Sequence, residues 1–191
     1  MIPADDISAK ITKGQHTATV KPMDPMDTDK LVSLVKALLN GERRASIILC
    51  EYAEQYPSEA RYLVSSLGAA LSNLETRDYA AFALAAIGLP AAMALPELIE
   101  ALRYDPETYV ATPFVLAIGR IGPLAKNAVP ALIEALEVGD PQVDFHVAEA
   151  LGKIGPAAST AIPALRTLVS ESPDADTREA ASLAIKQISE A

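Results

Sequence analysis

Apolar positions recur along this chain at two nested periods. The short period is helical. Leu95, Leu98 and Leu102 fall three and four residues apart, as do Ala80, Leu84 and Ile87, and again Val147, Leu151 and Ile154. Such spacing puts them on one face of a 3.6-residue turn. The long period is about 33 residues and shows in two markers. Leu-x-x-Ala-Leu occurs at Leu34/Ala37/Leu38, Leu67/Ala70/Leu71, Leu98/Ala101/Leu102 and Leu132/Ala135/Leu136, with a degenerate copy from Leu165 to Val169. A second apolar marker ends another helix at Ile87, Ile121, Ile154 and Ile188. Repetition of this length predicts a stack of helix pairs rather than a single-core globule.

The polar and special residues punctuate that pattern. Gly88, Gly122 and Gly155 follow the Ile marker and are expected as left-handed residues that close a helix. Pro96, Pro130 and Pro163 stand near the start of the second helix of each pair, where a missing N–H costs least. Asp105-Pro106, Asp140-Pro141 and Ser172-Pro173-Asp174 mark turns between pairs. The expectation is about ten helices, near 28–40, 42–55, 58–73, 76–88, 91–104, 107–121, 124–138, 141–154, 157–170 and 175–190. Thr112-Pro113 predicts a kink or a late start in the sixth. Asp176-x-x-Glu179 predicts a reciprocal cap on the last. Residues 1–27 show no period and are read as a weakly structured tail. The repeat domain is assigned to 28–191.

The segments Ala150-Leu151-Gly152-Lys153-Ile154-Gly155-Pro156 and Ala161-Ile162-Pro163-Ala164-Leu165 resemble the HEAT repeat, in the short bacterial form of phycobilisome lyases. Ala117-Ile118-Gly119-Arg120-Ile121-Gly122-Pro123 is similar. The likeness is strong over 76–190 and weaker over 28–75. It implies an all-α, right-handed α-solenoid, a superhelix of HEAT-like helix pairs. Its known functions are diverse, including chromophore lyases, hydroxylases and regulators.

Composition narrows the function classes. Sixteen Lys and Arg against 25 Asp and Glu give a formal charge of −9, and Arg43-Arg44 is the longest basic run. That argues against nucleic acid and anionic membranes, which need clustered cations. No stretch approaches the roughly 20 apolar residues of a membrane span, and Met1–Asp6 has no signal-peptide pattern. The one cysteine, Cys50, excludes an intrachain disulfide and is read as a buried apolar group. A cytoplasmic location is expected.

Candidate chemistry is thin. HEAT-like hydroxylases imply repeated His-Glu pairs for two irons, but this chain has only His16 and His146, and no metal or other cofactor is expected. His146 is read as a helix-surface or partly packed residue. Cys50 and His146 lie about three repeats apart, too far for a nucleophile–base pair. The glycines are read as lone helix stops, and no catalytic residue is assigned. The second helices remain, because in HEAT-like stacks they line the concave face. Positions there not used for packing are expected to be Glu97, Glu100 and Arg103, then Ala131, Glu134 and Glu137, then Ala164 and Thr167, with Lys36 at the position equivalent to Glu100. Four glutamates on adjacent helices suggest an acidic ridge for a protein with a basic surface, or else an ordinary solvated face. Tyr104 and Tyr109 bracket one turn and are candidate contact residues, while Tyr52, Tyr56 and Tyr62 cluster earlier.

The function expected is a non-catalytic scaffold binding another protein through its concave face. The alternative is a subunit or accessory factor of a bilin lyase, and a third is one segment of a larger regulatory protein. The first helix, 31–39, is apolar nearly all round, so either the tail or a second chain covers it. The expected state is therefore a monomer or a dimer through that helix.

Overall fold

The computed structural model describes residues 27–104, 111–137 and 139–190, and among these there is no strand. Its α-helices are α1 Thr28–Leu39, α2 Arg43–Gln55, α3 Pro57–Ala60, α4 Val64–Ala70, α5 Arg77–Ile87, α6 Leu95–Tyr104, α7 Ala111–Ile121, α8 Val129–Leu136, α9 Pro141–Ile154, α10 Ile162–Glu171 and α11 Ala175–Ser189. The repeat is a pair. First helices α2, α5, α7, α9 and α11 pack successively on one another, and second helices α1, α4, α6 and α8 do the same more lightly. The result is a helical stack two layers thick.

The inward face is the one the spacing predicts. Leu38, Leu98, Leu132 and Leu165 are fully buried, and Ile87, Ile121, Ile154 and Ile188 are at most 4% exposed. Replacing one such leucine with Ala costs about 2–5 kcal/mol in closely packed cores. The helix-start prolines also fall as expected, with Pro130 and Pro163 in the first two positions of α8 and α10.

Four features differ from expectation. First, the second helices start late. Short 3₁₀ segments, Leu89–Ala94, Gly122–Ala128 and Gly155–Ala161, precede α6, α8 and α10. Each turns two alanines inward: Ala91 and Ala94, Ala125 and Ala128, Ala158 and Ala161, all 2% exposed or less. Three residues per turn aligns i with i+3 on one side. The predicted 58–73 helix is broken for the same reason. A 3₁₀ turn, Arg61–Leu63, puts Ala60 and Leu63 inward before α4 begins.

Second, the closing glycines are not ordinary left-handed residues. Gly88 sits at φ 70°, ψ −133° and Gly155 at φ 76°, ψ −146°. This extended positive-φ region is essentially open to glycine alone. Third, Gly68, Gly119 and Gly152 are not stops but interior helix residues. A Cβ on Gly119 would lie 3.1 Å from the Ala150 backbone, and one on Gly152 3.2 Å from that of Ala184, while Gly68 has ordinary room at 3.4 Å from the Ala94 Cβ. Absence of a side chain lets α7 and α9, and α9 and α11, approach this closely.

Fourth, α11 is capped by Asp174, not by the Asp176–Glu179 pair. The Asp174 carboxylate accepts from the Thr177 amide at 2.8 Å and from the Thr177 hydroxyl at 2.7 Å. These bonds hold the Asp174 carboxyl below its ordinary range. Thr177 is buried, and its hydroxyl also lies 3.3 Å from the Pro141 carbonyl, tying the cap to the preceding first helix.

Pro113 is the third residue of α7, within its first described turn. Residues 105–110 and the 1–26 part of the tail lie outside the described residues. On α1, Leu38 is buried in the core, and Val32 and Leu39 stay 46% and 43% exposed.

Candidate functional site

The second-helix face carries the residues singled out from the sequence. Glu97, Glu100 and Arg103 are exposed on α6, Glu134 is exposed on α8, and Glu137 is exposed just past its end. The helices place them one repeat apart, because Leu98 and Leu132 anchor the opposite side of α6 and α8 in the core. Arg103 crosses between the helices. Its Nε donates to Glu134 Oε2 at 3.2 Å and its Nη2 to Glu134 Oε1 at 3.4 Å, a two-pronged pair with both side chains about half exposed. Glu134 is therefore neutralised, and the expected row of four acids becomes three. Among the described residues no ion pair engages Glu97, Glu100 or Glu137. The Glu97 carboxyl carbon lies over the preceding second helix, 3.8 Å from where a Gly68 Cβ would stand.

Two expectations on this face need correction. Ala131 is 2% exposed and belongs to the core, beside Leu132. Ala164 is half-buried, while Thr167 is exposed as expected. Tyr104 ends α6, but its side chain, like the whole of Tyr109, lies outside the described residues. Lys36 is exposed on α1.

A model of HEAT repeats matches residues 95–186, and a model of the PBS lyase HEAT-like repeat matches residues 76–104. The chain belongs to the HEAT-like repeat family. No curated protein matches it. The matched spans hold the face just described, so Glu97, Glu100, Arg103, Glu134 and Glu137 decorate HEAT-like second helices.

Elsewhere in the repeats, the titratable groups are packing elements. His146 is 6% exposed, not a surface residue, because it sits on the inward side of α9 with its ring edge-on to Phe145 at 5.1 Å. Its Nδ1 is 3.6 Å from Glu149, which lies the same distance from Lys153. At that separation the contact is electrostatic rather than a hydrogen bond. His146 and then Lys153 favour the charged form and hold the Glu149 carboxyl below its usual range despite partial burial. Asp144 is 6% exposed, and burial with Asp140 nearby pushes it up to about 6. Cys50 is 4% exposed, and burial, with Glu54 and Glu51 adding, pushes its thiol far above the ordinary value. A thiol so held is protonated and inert at neutral pH. Among the described residues no group of His, Cys, Asp and Glu is placed to hold a metal, and no helix is long and apolar enough to cross a membrane.

The tyrosine cluster divides. Tyr52 is buried, with its ring 5.2 Å from that of Tyr56, whereas Tyr62 is 76% exposed. The Arg61 guanidinium donates to the Tyr62 hydroxyl at 2.8 Å and lies 4.8 Å from its ring centre. The Arg103–Glu134 strut was missed because it links two repeats diagonally. Opposite charges three residues out of register on neighbouring second helices were the available signal.

Proposed function

We propose that this chain is a non-catalytic scaffold. Its right-handed superhelix of HEAT-like pairs binds another protein through the concave, second-helix face. The observation that carries this reading is the exposure of Glu97, Glu100 and Glu137 on adjacent second helices, free of ion pairs among the described residues. Unpaired carboxylates on a rigid, repeating surface suit a partner with a basic patch. The buried, unpaired Cys50 suits a reducing cytoplasmic setting. The exposed Val32 and Leu39 on α1 leave room for a dimer through that end.

The test is a pull-down at low and high salt with the tagged protein and with a Glu97→Lys, Glu100→Lys, Glu137→Lys triple variant. A basic partner held at low salt, and released both by salt and by the triple reversal, is the expected result. Retention by the reversed protein would overturn the assignment.

A second reading rests on the match of 76–104 to the PBS lyase HEAT-like repeat. It makes the chain an accessory subunit of a bilin lyase. Co-expression with bilin and a phycobiliprotein acceptor distinguishes it, since only this reading predicts new visible absorbance.

A further inference from the structure

The stack has a second surface of opposite chemistry. Along one edge run the turns that join the first and second helix of each pair, and the 3₁₀ segments Leu89–Ala94, Gly122–Ala128 and Gly155–Ala161 pack side by side there. Their alanines turn inward, so residues beside and between them face out. Met93 is 81% exposed, Tyr62 76%, Leu89 56% and Leu124 54%. Tyr62 and Met93 occupy equivalent places in successive repeats, each just before the second inward residue of its turn, Leu63 or Ala94. Isolated exposed apolar residues need no explanation, but a row of four along one edge does.

The charge on this edge differs from that of the rest of the chain. Runs 79–96, 108–133 and 150–170 contain no Asp or Glu, and of their cations Arg120, Lys126 and Lys153 stand in or beside the turns, while Arg166 lies within α10. The acids of these repeats lie in the intervening stretches, from Glu97 to Glu107, Glu134 to Glu149 and Glu171 to Glu179. In the first full repeat, Arg61 stands beside Tyr62, with Glu59 the one carboxylate in that turn. Lys153 shares its charge with Glu149, while Arg120 and Lys126 are exposed and without an ion pair among the described residues. A chain of net charge −9 therefore keeps Arg120 and Lys126 beside the apolar turn of the middle repeat, while the acids nearest this edge are Glu54 and Glu59 by Tyr62 and Glu97 in the first turn of α6.

We propose that this edge is a docking surface for an acidic segment of another protein that carries apolar side chains. Leu89, Met93, Leu124 and Tyr62 supply contact area, and Arg120 and Lys126 supply the complementary charge. An anionic membrane fits less well, because a few cations on a strongly acidic protein give weak attraction. A second copy docked edge to edge would bring like charges together. The inference is independent of the second-helix face.

The test is site-specific photo-crosslinking in cells of the source organism. Met93→p-benzoylphenylalanine reports on the edge, and Glu179→p-benzoylphenylalanine, on the far side of the last repeat, is the comparator. The expected product links position 93 to another protein through a peptide richer in Asp and Glu than in Lys and Arg. Adding Leu89→Glu and Leu124→Glu should lower its yield about tenfold or more, with an unchanged melting curve showing the fold intact. A product with a second copy of this chain, a lipid or a basic peptide would overturn the proposal. So would a yield at 93 no higher than at 179, or one unaffected by the double substitution.

Discussion

From α6 to α11 the helix pair is built with the same small residues in the same places; from α2 to α4 it is built without them. The later pairs use Gly122 or Gly155 to leave the first helix, two alanines in the 3₁₀ turn, and Gly119 or Gly152 where first helices touch. The earlier pair leaves through Tyr56 at φ −131°, ψ 60°, turns on Ala60 and Leu63, and places Tyr52 inside. Both reach the same arrangement of layers. What the two halves share is the spacing of inward residues, three apart in the turn and then three and four apart in the helix. What separates them is that a glycine stands where first helices meet in the later pairs, and with that how much a local change there is felt.

The sharpest way to break the comparison is to add one methyl group to a glycine of each half. Gly119→Ala must push its Cβ to 3.1 Å from the Ala150 backbone, which cannot yield as a flexible side chain would. A loss of about 1–3 kcal/mol in urea unfolding is expected. Gly68→Ala meets only the Ala94 Cβ at 3.4 Å. There the gain in helix propensity, about 0.5–1 kcal/mol, should leave stability unchanged or raised. Equal losses at both sites would show that the contact at Ala150 is no tighter than the one at Ala94.

A buried charge gives the next largest effect. One register position holds Arg77, Ala111, Asp144 and Arg178 in successive first helices. Arg77 is buried with its guanidinium 5.9 Å from the Phe114 ring centre, while Asp144 is buried with one carboxylate oxygen lacking a hydrogen bond. The Asp144 pKa of about 6 lies above the ordinary carboxylate value, so the folded state binds the proton more tightly than the unfolded one. Its contribution is most favourable at low pH, falls as pH rises from about 4 to about 6, and is flat above. Asp144→Asn should therefore stabilise the protein by about 1–3 kcal/mol at pH 7, the upper figure being the full linkage for a carboxyl displaced to about 6, and by nothing near pH 3. Denaturant midpoints at the two pH values check this, and a pH-independent effect would remove the buried charge as the cause.

The smallest effect tests the terminal cap. Asp174→Ala should cost about 0.5–2 kcal/mol, because it orphans the Thr177 amide and leaves the Thr177 hydroxyl only its longer bond to the Pro141 carbonyl. Asp176→Ala, at the position the sequence favoured, should fall within about 0.5 kcal/mol of the parent. The reverse order would restore the sequence-based cap.

These contrasts show what could be read from the chain directly. The core was legible in Leu98, Leu132, Leu165 and the Ile marker, because burial follows a strong 3.6-residue period. The 3₁₀ turns were not, since alanines three apart look like part of an ordinary helix until the following register is known. The cap at Asp174 was hidden in a segment that reads as a plain turn. On the candidate face, the positions of Glu97, Glu100, Glu134 and Glu137 were legible from register alone. The neutralisation of Glu134 by Arg103 was not, because it depends on how two helices one repeat apart lie across each other. The exposed row of Leu89, Met93 and Leu124 shared that fate, as apolar residues in an apolar segment.

The near contact of α7 with α9 and of α9 with α11 also has a mechanical consequence. Helices packed this closely at Gly119 and Gly152 leave the first-helix layer little room to be compressed, whereas the second helices meet more lightly. Any bending of such a stack would change the distance between second helices more than that between first helices, as the free edge of a hinged book moves more than its binding. The Arg103–Glu134 pair spans that free edge like a clasp. Being half exposed, it holds with at most about 1 kcal/mol and loosens with salt. The one ion pair between α6 and α8 among the described residues is thus a clasp that the surrounding solution can undo, while the packing at Gly119 and Gly152 does not depend on salt.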